Sequence, residues 1–92
     1  MSVKVKVFAG LRDLMPRELE VDGAGGASVS ALLDRLCARY PGLREQIFDG
    51  AGAIKPYVNV LKNGRNVAFL EDLMTVLEDG DIVAIFPPVA GG

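Results

Sequence analysis

The chain opens on a strict alternation. Val3, Val5 and Val7 take one set of positions and Lys4, Lys6 and Phe8 the other, a period of two that predicts a strand with the valines on its buried face. A turn region over residues 10–16 leads to Arg17–Val21, RELEV, read as a second short strand that pairs back on the first as a hairpin. After the Gly/Ala-rich loop Asp22–Ala27 the period changes. Ser28 stands as an N-cap before Val29, Leu32, Leu33, Leu36, Cys37 and Tyr40, at offsets 0, 3, 4, 7, 8 and 11. That is the apolar stripe of an amphipathic helix, ended by Pro41-Gly42. A short helical turn over Leu43–Phe48 and a surface loop over Asp49–Pro56 come after it. Tyr57–Leu61 reads as a strand, and Asn63-Gly64 as a tight turn into a further strand, Arg65–Phe69. Glu71–Leu77 connects, Asp79-Gly80-Asp81 turns, and Ile82–Phe86 is an almost wholly apolar last strand, which suits the interior of a sheet.

The order strand, strand, helix, strand, strand, strand predicts an α+β domain of β-grasp layout, a mixed sheet covered on one face by one main helix. In that layout the first and last strands are neighbours in the middle. The folded domain is expected over residues 1–86, with residues 87–92 as an extended tail. Because the valines of the first strand face the helix, Phe8 and Phe86 are placed on the opposite face. They are predicted to form an exposed aromatic patch for docking a partner. The competing reading packs these rings under a loop or against the stems of Lys4 and Lys6.

Composition narrows the possible functions. Ninety-two residues, 50% hydrophobic and 24% charged, suit one modest core. A net charge of −2, with no basic cluster, gives no footprint for nucleic acid. The alternating N-terminus resembles neither a signal peptide nor a membrane span, so a cytoplasmic location away from any membrane is expected. One cysteine and no histidine leave no internal disulfide, no four-thiolate cluster and no structural zinc site. No metal ligand set is read from the sequence. The commonest general base is also missing, so acid–base chemistry would come from another protein. Cys37 reads as a small buried thiol that alanine or serine could replace. Glu71-Asp72 and Glu78-Asp79-Asp81 read as surface and turn residues that could steer a basic partner, rather than as catalytic carboxylates. Asn63-Gly64 and Asp79-Gly80 read as turn formers rather than phosphate cradles.

The chain ends IFPPVAGG, Ile85–Gly92. Pro87 and Pro88 fix φ and lack N–H groups, which stops a ladder and sends the chain outward. Val89 and Ala90 carry it on, and Gly91 and Gly92 leave the terminal carboxylate with no side chain nearby. The tail of residues 87–92 can reach about 20 Å, and its bare end can thread a channel too narrow for a side chain.

The segment LEDGDIVAIFPPVAGG, Leu77–Gly92, resembles the C-terminus of the MoaD/ThiS sulfur carriers, ubiquitin-like β-grasp proteins that end in Gly-Gly. The FPPVxGG ending is most similar to MoaD, and SVSALLDRLCARYP and YVNVLKNG extend the resemblance over the domain. The resemblance implies that Gly92 is the reactive residue. An E1-like adenylating enzyme of the MoeB/ThiF type would use ATP to form an acyl-adenylate there, and a sulfur donor would convert it to a thiocarboxylate. No cofactor would be held tightly by the carrier itself. In the MoaD role the tail, from Phe86 through Pro87, Pro88, Val89, Ala90 and Gly91 to Gly92, would enter a MoaE-like large subunit. There it would donate sulfur to the pterin precursor of the molybdenum or tungsten cofactor. Ala90 stands where many MoaD members have threonine, and the segment FDGAGAIKPYVNV is longer than in the shortest members. Both features also resemble carriers of the cysteine-biosynthesis type. Thiamine biosynthesis, or conjugation of Gly92 to lysines as a ubiquitin-like modifier, stays open as well.

Overall fold

In the computed structural model, residues 1–87 are described; the expectations attached to Pro88, Val89, Ala90, Gly91 and Gly92 lie outside the described residues. β1 (Ser2–Val7) turns the opening alternation into a strand with one covered face, Val3, Val5 and Val7 being fully buried. β2 (Glu18–Asp22) pairs with it antiparallel, setting Lys4 opposite Glu20 and Lys6 opposite Glu18. It starts one residue later than predicted. Arg17 gives only its carbonyl, which accepts the Val7 N–H at 3.0 Å.

α1 (Val29–Arg39) begins where Ser28 predicts, and the Ser28 hydroxyl accepts the Ala31 N–H at 3.1 Å. Val29, Leu32, Leu33 and Leu36 point into the core, each worth about 1.5–3 kcal/mol on full burial. Cys37 departs from the reading as a buried thiol: it is half-buried at the rim of the core. Partial burial still pushes its pKa up, against the opposing pull of Arg44. Gly42, at φ 89°, takes the left-handed conformation that lets α2 (Leu43–Ile47) start, and Leu43 and Ile47 close the core.

β3 (Asn59–Lys62) starts two residues later than predicted. The Val58 N–H is bonded to the Lys55 carbonyl at 3.0 Å in a turn, which withholds it from the ladder, and Tyr57 is exposed. Asn63 and Gly64 have φ of 49° and 85°, the signs a two-residue hairpin of this hand requires. β4 is only Arg65–Asn66, shorter than the strand predicted over residues 65–69. The Asn66 carboxamide oxygen accepts the Ala68 N–H at 2.9 Å and caps a single 3-10 turn, Val67–Phe69. Side-chain capping here competes with the sheet ladder and wins.

β5 (Ile82–Phe86) runs parallel to β1 and antiparallel to β3, giving the order β2-β1-β5-β3-β4. It is the middle strand, as predicted. Its uniformly apolar sequence nevertheless meets a helix on one face only. Val83 and Ile85 are fully buried, while Ile82, Ala84 and Phe86 lie on the open face. That surplus leaves apolar side chains on the surface, away from the core.

Candidate docking surface at the root of the tail

β1 and β5 are parallel, so their C-terminal ends come out side by side, with Val7 opposite Ile85. The next residues on the open face are Phe8 and Phe86, and their rings stack at 4.2 Å between centroids with planes 8° apart. The exposed patch predicted from the sequence is therefore corrected to a half-buried pair, each ring covering one face of the other. The chain turns sharply after Phe8. Ala9 sits at φ 53°, an unusual conformation for a residue with a Cβ, and opens a 3-10 turn over Ala9–Asp13. That turn carries Arg12 back. Its Nε donates to the Val7 carbonyl at 3.1 Å, and its guanidinium lies 5.2 Å from the Phe8 ring centroid, within cation–π range. Sequence reasoning did not single out Arg12. Its only signal is the spacing of four residues from Phe8, which carries no meaning until the turn is seen.

The open face continues as an apolar stripe through Ala84, Ile82 and Leu61, which is opposite Ala84. On one flank Lys4 and Lys6 face Glu18 and Glu20, with Lys4 Nζ 3.1 Å from Glu18 Oε1. The Lys4 ammonium holds the Glu18 carboxyl below the usual carboxylate range, chiefly through that hydrogen bond. On the other flank Asn66 Nδ2 donates to Asn59 Oδ1 at 3.0 Å. Pro87 is buried directly after Phe86, so the aromatic stack stands at the point from which the last residues continue. Of the residues picked from the sequence, the structure brings together Phe8 and Phe86. This surface is apolar along its centre, with facing charges of both signs on one flank and amides on the other. Its chemistry is recognition rather than bond-making.

The opposite end of β5 is polar and closed. Asp81 is buried, and its two oxygens accept the Asn63 side-chain amide and the Glu78 N–H, each at 2.8 Å. Lys62 Nζ lies 3.5 Å from the same carboxylate and donates to the Val76 carbonyl at 2.8 Å. The Asn63 carboxamide oxygen accepts the Ile82 N–H at 2.8 Å. Burial pushes the Asp81 pKa up, but the hydrogen bonds from Glu78 and Asn63 and the Lys62 charge outweigh it, so the net shift is downward. These residues clamp the β3–β4 turn onto the start of β5.

The sheet order and the one main helix covering one face define a ubiquitin-like β-grasp protein. The structure of SAMP1 from Haloferax volcanii superposes with a TM-score of 0.85 at 35% identity, covering 100% of both chains. The pattern of the ThiS family matches residues 5–92, and the chain belongs to that family, the ThiS/MoaD type of ubiquitin-like sulfur carriers. Among curated relatives it is 42% identical to small archaeal modifier protein 3 of Haloferax volcanii, over 100% of both chains. It is 38% identical to sulfur carrier protein CysO of Mycobacterium tuberculosis, again over 100% of both. The molybdopterin synthase sulfur carrier subunit of the same species is 39% identical, over 100% of this chain and 99% of the relative.

Proposed function

We propose that this protein is a sulfur carrier charged at the carboxylate of Gly92. An E1-like enzyme joins that carboxylate to AMP, with pyrophosphate leaving ATP. A sulfur nucleophile then displaces AMP to give a thiocarboxylate. The logic is that of an activated acyl group: a carboxylate is a poor electrophile until it carries a good leaving group, and ionised sulfur is a strong nucleophile. The observation that carries the reading is the placement of the Phe8–Phe86 stack at the end of β5. Phe86 precedes Gly92 by six residues in sequence, so a partner gripping the rings has the terminus within a reach of about 20 Å.

Delivery to a pterin precursor in a MoaE-like large subunit is the acceptor role we assign, supported by the likeness to the molybdopterin synthase carrier subunit. The likeness to CysO supports the same chemistry with a different acceptor. A second reading, conjugation of Gly92 to lysines, is favoured by the 42% identity to a small archaeal modifier protein. Intact-mass analysis after incubation with the activating enzyme, ATP and a sulfur donor separates these. Exchange of one terminal oxygen for sulfur, without lysine-linked adducts in the cell, is the result expected of a carrier. Adducts without thiocarboxylate would replace it with the modifier.

A further inference from the structure

Large apolar side chains are uncovered at a second place, the segment of residues 69–76. Phe69 is 88% exposed, Met74 70%, Val76 56% and Leu70 38%. These side chains stand on an ordered scaffold. The segment runs from the 3-10 turn at Val67–Phe69 into another at Asp72–Met74. The Glu71 N–H donates to the Thr75 hydroxyl at 3.1 Å, the Met74 N–H to the Glu71 carbonyl at 2.9 Å, and Thr75 and Leu77 are buried beneath. Between this segment and β3 lies an open cavity of about 470 Å³ lined by Lys62, Leu70, Glu71, Thr75 and Val76.

The cavity is on the helix side of the sheet. Lys62 is directly opposite Val83, whose side chain is in the core, and opposed residues share a face. Leu61, Phe8 and Phe86 point to the other side. The two surfaces therefore lie on opposite faces of the sheet.

Charge indicates what fits. Glu71 is at the cavity and Glu78 projects beside it with a side chain 78% exposed, while the buried Asp81 carboxylate is taken up by Lys62. Lys62 and Arg65, opposite each other on β3 and β4, are the nearby cations. Lys62 is already engaged by the Val76 carbonyl, Asp81 and Glu78, whose Oε1 is 3.6 Å away. Apolar walls with a net negative rim complement an aliphatic side chain next to a cation.

We propose that this cleft is a second docking surface, for a basic amphipathic segment of a partner protein. The segment sets an apolar side chain between Leu70 and Val76 and an arginine or lysine against Glu71 and Glu78, leaving the Phe8–Phe86 surface free. Neither contact involves residues of the Phe8–Phe86 surface.

The test is a titration of the full ¹⁵N-labelled chain with a short synthetic peptide of alternating leucine and arginine, and with a control peptide carrying glutamate for arginine. Saturable amide shifts are expected at residue 62 and over residues 70–78 with the arginine peptide alone. Affinity should fall roughly fivefold or more in the double variant Glu71→Lys, Glu78→Lys and similarly as salt is raised. Leu70→Ser, at an exposed position, supplies a second variant that should weaken binding without charge change. Shifts centred on Leu61, Ala84 and Phe86, the absence of saturable shifts, or equal binding by the variants would each overturn the proposal. So would self-association of the chain through the same residues.

Discussion

The two ends of β5 are built on opposite plans. At its start, Asp81, Asn63, Lys62 and the Glu78 N–H satisfy one another, and the polar groups turn inward. At its finish, Phe86 stacks on Phe8 and the apolar surface turns outward, with Arg12 laid against it. Four residues separate a polar clamp from an open aromatic surface. The lesson is that one strand divides its labour: the first end fixes where β5 lies, and the second uses that fixed position to hold an aromatic pair on the open face of the sheet.

The division can be broken by substitution, beginning between the ends. Ile85→Ala removes a fully buried side chain from the middle strand and should cost about 2–5 kcal/mol in urea unfolding. A loss under ~1 kcal/mol would mean that the core does not depend on β5.

Asp81→Asn sharpens the contrast at the first end. It weakens the tie to Lys62 and leaves one of the donors facing Asp81 without its carboxylate acceptor, for an expected loss of about 1–3 kcal/mol. It should leave partner affinity unchanged. The sign of its pH dependence comes from the lowered pKa. The contribution is present above the unfolded carboxyl's value, near 3.8, and is lost as pH falls through the lower folded value. Unfolding measured from neutral pH down to pH ~3 should therefore show a loss in the parent that is reduced in Asp81→Asn. Identical pH profiles would mean that folding does not lower the Asp81 pKa.

Phe86→Ala acts at the other end and should reverse the pattern. Stability should fall by about 0.5–1.5 kcal/mol with the stack. Partner affinity, read by calorimetry with the activating enzyme, should fall by about 2 kcal/mol, as for a buried aromatic anchor at an interface. A larger loss in stability than in binding would reassign the ring to the core.

Much of this division was legible in advance, and the physical reason is period. Val3, Val5 and Val7 against Lys4, Lys6 and Phe8 could alternate sensibly only as a strand. Ser28 before the stripe of Val29, Leu32, Leu33 and Leu36 could only start a helix, and from these the sheet face holding Phe8 and Phe86 could be inferred. The features that stayed hidden depended on partners distant in sequence or on local competition. Asn66 ends β4 by capping its own chain, a choice between two hydrogen-bond patterns that composition does not rank. Lys62, Asn63 and Asp81 look like surface and turn residues until the β3–β5 register brings them together. Arg12 gains its place only through the left-handed turn at Ala9. The half-buried state of the aromatic pair was likewise invisible, because each ring's cover is the other ring.

The most direct test compares the full chain with one ending at Ala90, each incubated with the activating enzyme, ATP and a sulfur donor and weighed intact. Equal unfolding midpoints are expected for the two, with one oxygen replaced by sulfur in the full chain and no change of mass in the shortened one. Sulfur gained by the shortened chain would show that Gly92 is not the group that carries it.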